Sequence, residues 1–217
     1  MATCAQCEGI ENQFGRKKAE QELRRFRKRG PIPSTQRLID ALRVAGIENA
    51  SLLDIGGGVG AIHHALLDGG ANIAVHVDVS ADYIEVSREE AARRGHVDRV
   101  RFVHGDFVQL ASGLSAADIV TLDRVICCYP DMEELVGRAA DKTRRLLGAV
   151  YPPDVWWVRL GVRWSNLVSR MRRSEFRAYV HSPAAIDAAL RRHGLERIKR
   201  QRTLAWEIVT YARVKTR

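Results

Sequence analysis

The sequence predicts an α/β protein with a doubly wound, mostly parallel seven-stranded sheet whose C-terminal strand is antiparallel. Three observations carry that prediction. From position 51 onward, short apolar runs alternate with helix-period segments, the pattern of βαβ units with right-handed crossovers. The first run, Ser51-Leu-Leu-Asp-Ile55, turns into its helix through Gly56-Gly-Gly-Val-Gly60. The chain closes on two strand-like runs joined by a few mostly basic residues, which reads as an antiparallel hairpin.

Each element follows from local pattern. Residues 16–29 form a charged helix with a thin apolar stripe at Leu23 and Phe26, stopped by Gly30-Pro31. Pro33-Ser34 opens a second helix whose apolar surface is Leu38, Ile39, Leu42 and Val44. This pair precedes the first strand and is expected to cover one edge of the sheet. Strands are expected at 51–55, 72–78, 99–103, 117–122 and 148–151, and helices at 60–67, 81–94 and 132–147. Pro152-Pro153 then breaks the alternation. Residues 154–179 read as one amphipathic stretch, with Trp156, Trp157, Leu160, Trp164, Leu167, Val168 and Met171 on helical spacing and Arg159, Arg163, Arg170 and Arg173 on its flank. An apolar stripe at that spacing usually packs into the core. Pro183 starts a further helix ending at His193-Gly194, and strands at 195–199 and 203–212 finish the chain. Residues 1–45 thus form a helical cap, and 46–217 the main domain, with an inserted segment at 154–180.

Composition bounds the class. A chain of 217 residues that is 46% hydrophobic can bury a single large core. No apolar run approaches the ~20 residues of a membrane span. No signal-peptide pattern opens the sequence, so a cytoplasmic protein is expected. The net charge is +9, carried by 29 arginines and six lysines. That bias fits a polyanion footprint, but also an arginine- and alanine-rich composition throughout, which is the favoured reading. Cys4/Cys7 and Cys127/Cys128 form two close pairs without the spacing of a complete zinc site, so reduced thiols and no metal are expected.

The glycine turn indicates a ligand. Glycine tolerates positive φ and lets a ligand approach main-chain atoms, and the following helix N-terminus offers unpaired N–H groups. Read as Gly56-x-Gly58-x-x-Ala61, the loop fits a dinucleotide. Read as Asp54-x-Gly56-x-Gly58-x-Gly60, it resembles motif I of the class I methyltransferases that use S-adenosylmethionine. Asp54 favours the second: a carboxylate would repel a pyrophosphate and attract an ammonium, directly or through water.

The resemblance extends beyond the loop, over roughly residues 45–213. Asp78, in Val77-Asp-Val-Ser80, stands where that family places an acid for the ribose hydroxyls, with Val79 beside it. Asp106, in His104-Gly-Asp-Phe-Val108, matches the position that receives the adenine amine, and Phe107 could pack on the base. As a bare residue, Asp106 also suits a helix N-cap. The closing hairpin matches the family's antiparallel last strand. The resemblance therefore implies a Rossmann-like methyltransferase fold and a cofactor site of Asp54, Gly56, Gly58, Gly60, Asp78, Val79, Asp106, Phe107 and Asp123.

Thr121-Leu-Asp-Arg-Val-Ile-Cys-Cys-Tyr-Pro130 follows the fourth strand, where an open α/β sheet binds ligands, so it should face the transferred methyl. Tyr129-Pro130 looks most like the magnesium-protoporphyrin O-methyltransferase branch, except that Cys128 stands where that branch tends to have His. Family members place a substrate lid where 154–180 lies. The implied function is methyl transfer from S-adenosylmethionine to a small-molecule acceptor: O-methylation, with a carboxylate on a porphyrin-like or other apolar substrate foremost. Tyr129 and His181 are the candidate bases for a hydroxyl or amine acceptor. An RNA methyltransferase, a non-catalytic ligand-binding protein and a dinucleotide oxidoreductase are the alternatives. The acceptor and the oligomeric state are not legible in the sequence.

Overall fold

The computed structural model describes Gly9 and residues 13–214. The elements run α1 (Arg16–Arg29), α2 (Pro33–Ala45), β1 (Ser51–Ile55), α3 (Ala61–Asp68), β2 (Ile73–Asp78), α4 (Ala81–Arg94), β3 (Val100–His104), α5 (Phe107–Leu110), β4 (Ala117–Asp123), α6 (Met132–Asp141), β5 (Thr143–Tyr151), α7 (Trp156–Met171), α8 (Pro183–Arg192), β6 (Leu195–Arg202) and β7 (Glu207–Arg213). The strands form one sheet in the order β3-β2-β1-β4-β5-β7-β6. Strands β1 to β5 pair in parallel, β7 pairs antiparallel with β5, and β6 pairs antiparallel with β7. Six strands therefore run one way and β7 the other.

Parallel strands are apolar on both faces because helices cover both. One layer joins Leu53, Val120, Leu122 and Leu147 to Leu135 and Val136 of α6 and Ile186 and Leu190 of α8. The other joins Leu52, Ile119 and Val150 to Leu38, Ile39 and Leu42 of α2 and Ile62 and Leu66 of α3. A third cluster sets Ala19, Leu23 and Phe26 of α1 against Tyr83 and Val86 of α4.

Four expectations are corrected. The N-terminal helices do not cover a sheet edge: α1 lies on α4, and α2 lies on the sheet face over β5 and β7. A Cβ on Gly148 of β5 would come within 2.7 Å of Leu38 Cδ1, so that face is closely approached by α2. Val44 is 83% exposed, being off the buried stripe of α2. The helix expected over 132–147 ends at Asp141, and residues 143–147 belong to β5. Leu146 and Leu147 pair with Ile119 and Val120 on one side and with Ala212 and Tyr211 on the other, and this pairing overrides their helix-compatible spacing. Finally, the amphipathic stretch is helical only over Trp156–Met171, and its apolar stripe does not pack on the sheet: none of its residues is buried.

Helix α1 is held to α4 by charge as well as by apolar contact. Glu90 of α4 is fully buried and accepts from Arg27 Nε of α1 at 2.8 Å and from Arg94 Nε at 2.7 Å, with Arg93 alongside. Burial alone would raise its pKa, but the three guanidinium groups outweigh it and hold the carboxyl at about 2.

Candidate functional site

The strand order reverses between β1 and β4, and open α/β sheets bind ligands at that switch point, outside the strands' carboxyl ends. A cavity of about 290 Å³ lies there. Its walls include Gly56 and Gly58 after β1, Asp78 and Val79 after β2, Asp106 and Phe107 after β3, and Asp123 with Arg124 after β4. Seven of the nine expected cofactor residues thus share one cavity.

The glycine loop is shaped by conformation that other residues resist. Gly56 and Gly58 have φ of +61° and +56°, and a Cβ on Gly56 would sit 2.5 Å from Val125 Cγ2. Gly58 N–H donates to Asp78 Oδ2 at 3.0 Å, and Ser80 N–H donates to Asp78 Oδ1 at 2.9 Å. Asp78 therefore braces the loop while its remaining lone pairs stay available on the cavity wall. Burial raises its pKa to about 6.

Asp54 and Gly60 depart from the expected positions. Neither lines the cavity. Asp54 is 1% exposed; Thr121 Oγ1 donates to its Oδ1 at 2.7 Å, and His63 Nδ1 lies 2.9 Å from its Oδ2. Both oxygens are thus engaged beneath the loop, and the carboxylate supports the turn from below, with its pKa raised by burial. Gly60 is the left-handed residue at the N-terminus of α3, where a Cβ would meet His63 Cε1 at 2.6 Å.

Asp123 occupies the place that Asp54 does not. Its Oδ2 accepts from Thr35 Oγ1 of α2 at 2.6 Å, while its buried Oδ1 makes no hydrogen bond and has Arg124 Nε 3.5 Å away as an ion-pair partner. Burial raises its pKa. With Arg124 beside it, Asp123 places a carboxylate among the residues that line the cavity. Arg124 itself has φ of +63°, an uncommon conformation for a side chain of that size and one that clusters at functional sites.

Asp106 plays two parts. Its Oδ1 caps α5 through Val108 N–H at 3.0 Å, and its Oδ2 accepts from Tyr129 O–H at 3.2 Å. Tyr129, Cys127 and Cys128 line the same cavity. The two sulfurs lie 3.9 Å apart; their mutual contact together with burial raises Cys127, whereas the same contact lowers Cys128. His181 is elsewhere: its Nε2 lies 2.9 Å from the Tyr129 carbonyl oxygen, and its ring adjoins a shallow depression by Asp131 and Glu133. With Nε2–H donating to a carbonyl and no place on the cavity wall, His181 is not positioned as a base for a ligand in that cavity.

Sequence reading missed Phe14, Glu22, Tyr83 and Trp206, all of which line the cavity. Three come from outside the conventional loops, so no local spacing marks them. Arg124 was adjacent to a named residue, but its φ is invisible in sequence. Cys4 and Cys7 lie outside the described residues. Among the described residues, no group of three or more His, Cys, Asp or Glu is arranged to hold a metal ion, and no helix is long and apolar enough to cross a membrane.

A family model described as a methyltransferase domain matches residues 53–145, the span carrying the glycine loop, Asp78, Asp106 and Asp123. Together with the sheet order and the cavity, this match supports a class I methyltransferase that uses S-adenosylmethionine, with the methyltransferase-domain likeness spanning residues 53–145. Among solved structures it is similar to magnesium protoporphyrin IX methyltransferase from Synechocystis PCC 6803. The form with bound S-adenosylhomocysteine is 18% identical, covering 96% of this chain and 100% of that one, with a TM-score of 0.74. The form with bound S-adenosylmethionine is also 18% identical, covering 99% and 100%, with a TM-score of 0.72. An O-methyltransferase family protein from Burkholderia thailandensis is 16% identical, covering 91% of this chain and 60% of that one, with a TM-score of 0.67. At these identities the likeness is one of fold. No curated protein matches the chain.

Proposed function

We propose that this enzyme methylates an oxygen of a small, largely apolar acceptor, with a carboxylate as the leading acceptor group. One observation carries the reading. The wall bearing Asp78 and Asp106 is continuous with Arg124, Cys127, Cys128 and Tyr129, so donor and acceptor share one mostly apolar cavity. In this assignment Asp78 holds the ribose hydroxyls, Val79 and Phe107 flank the adenine, and Asp106 receives its amine. Gly56 and Gly58 admit the cofactor backbone, Asp123 faces the ammonium, and Asp54 and Gly60 shape the loop from behind.

The bound sulfonium supplies an already activated methyl group, so the chain's task is alignment. When bound, S-adenosylmethionine would supply the methyl carbon to the acceptor oxygen by in-line displacement, with the carbon–sulfur bonding pair going to sulfur. A carboxylate needs no base for this step, and Arg124 offers the positive charge to hold it. A hydroxyl would have to lose a proton; Tyr129, hydrogen-bonded to Asp106, is then the group placed to take part. The likeness to the Synechocystis enzyme supports a porphyrin-like carboxylate as the first acceptor to assay.

Calorimetry with S-adenosylhomocysteine, followed by product detection with a panel of carboxylate and hydroxyl acceptors, tests the proposal. Cofactor binding with turnover of a carboxylate acceptor is expected. Turnover only on an amine or a nucleic acid would overturn it. The RNA reading is weakened by the pairing of α1: Arg16 is held by Glu20, Glu85 and Glu89, and Arg27 by Glu90.

A further inference from the structure

Helix α7 is turned inside out. Trp156, Leu160, Trp164, Leu167 and Met171 fall within an arc of about 80° at 3.6 residues per turn. All five face solvent, with Trp156 72%, Trp164 68% and Met171 76% exposed. The half-buried face toward the protein carries smaller residues, Val158, Val162, Asn166 and Ser169. Asn166 fixes that face: its Nδ2 donates to the Ala178 carbonyl at 2.8 Å and its Oδ1 accepts from Ala178 N–H at 2.9 Å. The helix is therefore anchored by its weakly apolar side and presents its strongly apolar side outward. A monomeric protein rarely exposes a contiguous patch of this kind without a partner for it.

Charge identifies the partner. Arg163 and Arg170, with Arg159, border the apolar arc, and Arg172 and Arg173 follow at its end; residues 155–174 contain no Asp or Glu. Among the described residues, only Arg159 of these has an acidic partner, Asp154 just before the helix. Pairing α7 with the same helix of a second copy would bring two such arginine rows together with no acid between them. An anionic bilayer instead accepts tryptophan and leucine at its headgroup boundary and draws the flanking arginines to its phosphates. We propose that α7 is an interfacial helix that docks the enzyme on the surface of a membrane containing anionic lipid, lying in the interface without spanning it. The chain's overall charge of +9 favours the same approach.

The full chain should float with vesicles of phosphatidylcholine and phosphatidylglycerol, with a blue shift of tryptophan emission, and bind pure phosphatidylcholine vesicles far less. The triple variant W156S/L160S/W164S changes only exposed side chains. It should keep its melting temperature and its affinity for S-adenosylhomocysteine while losing vesicle binding. The double variant R163Q/R170Q should bind anionic vesicles roughly tenfold or more weakly, at about a fivefold loss per arginine. Absence of flotation at low salt would overturn the proposal, as would flotation unchanged in the triple variant. Concentration-dependent dimerisation abolished by that variant, without vesicle binding, would assign the face to a second copy and overturn it equally.

Discussion

Gly58 N–H donates to Asp78 Oδ2 at 3.0 Å, so the tip of the glycine loop hangs on the carboxylate that ends β2. This carboxylate is raised to about 6 by burial, against an ordinary 3.8. If the ribose hydroxyls need it ionised, affinity for S-adenosylhomocysteine is full above pH 6 and falls below it, by up to about tenfold per pH unit. Calorimetry across pH 5 to 7.5 should show that fall in the wild type, and a weaker but flatter profile in Asp78→Asn. Parallel profiles for the two proteins would remove Asp78 from the site.

The glycines of the loop should separate by function. A methyl at Gly60 meets buried His63 and Ser87 Oγ, the latter at 2.7 Å, in addition to its unfavourable φ of +83°. Gly60→Ala should destabilise the fold by about 2–4 kcal/mol, seen as a drop in melting temperature. A methyl at Gly58 meets nothing closer than Tyr83 Cδ1 at 3.6 Å. Gly58→Ala should cost only about 1–2 kcal/mol of backbone strain, but weaken cofactor binding more than Gly60→Ala does among folded molecules.

Beneath the loop, His63, His64 and His76 are buried, with pKa values lowered by burial to about 3, 2 and 3. The unfolded chain takes up protons at these positions below about pH 6.5 and the native protein does not, so each erodes stability as pH falls. The raised Asp54, Asp78 and Asp123 act in the opposite direction, so the total pH dependence is a difference between the two sets. A difference measurement isolates one histidine. His64→Gln should be destabilised relative to the wild type at pH 7, and the gap should narrow toward pH 5 by up to about 1.4 kcal/mol per pH unit. Urea titrations at several pH values read this directly; a constant gap would mean that His64 takes up its proton in the native state as it does in the unfolded chain.

Glu90 should be what keeps α1 attached under acid. Its folded pKa of about 2 lies below the ordinary 4.5, so its contribution is complete above 4.5 and disappears as pH falls toward 2. Glu90→Gln should destabilise by about 2 kcal/mol, less than the 3–5 of a fully buried pair, because its arginine partners are partly exposed. Hydrogen exchange should show α1 losing protection first.

Tyr129→Phe distinguishes acceptor chemistries. With a hydroxyl acceptor kcat should fall by about a hundredfold, whereas with a carboxylate acceptor it should change little. Equal losses with both would make the Tyr129–Asp106 contact a matter of positioning.

The glycine loop, Asp78 and Asp106 were legible because each depends on the chain within a few residues: a strand end, a turn and a cap. Tyr83, Trp206 and Phe14 were not, because distant segments bring them to the cavity. Asp54 shows the boundary between the two. Its place before the loop is a local fact, but its direction is set by Thr121 and His63, which meet it only once β1, β4 and α3 are packed. Asp123 became the carboxylate on the wall for the same reason.

By itself the sequence determined the alternation of strands and helices, the parallel sheet with its antiparallel finish, and the class of cofactor, since periodicity, glycine conformation and carboxylate placement are local properties. Tertiary structure decided what periodicity cannot express. Pairing of β5 with β4 on one side and β7 on the other made residues 143–147 a strand, and anchoring of the half-buried face that carries Val158, Val162 and Asn166 turned the tryptophan stripe of α7 toward solvent. An apolar stripe specifies that one helix face will avoid water. Which partner it finds depends on how the rest of the chain presents it.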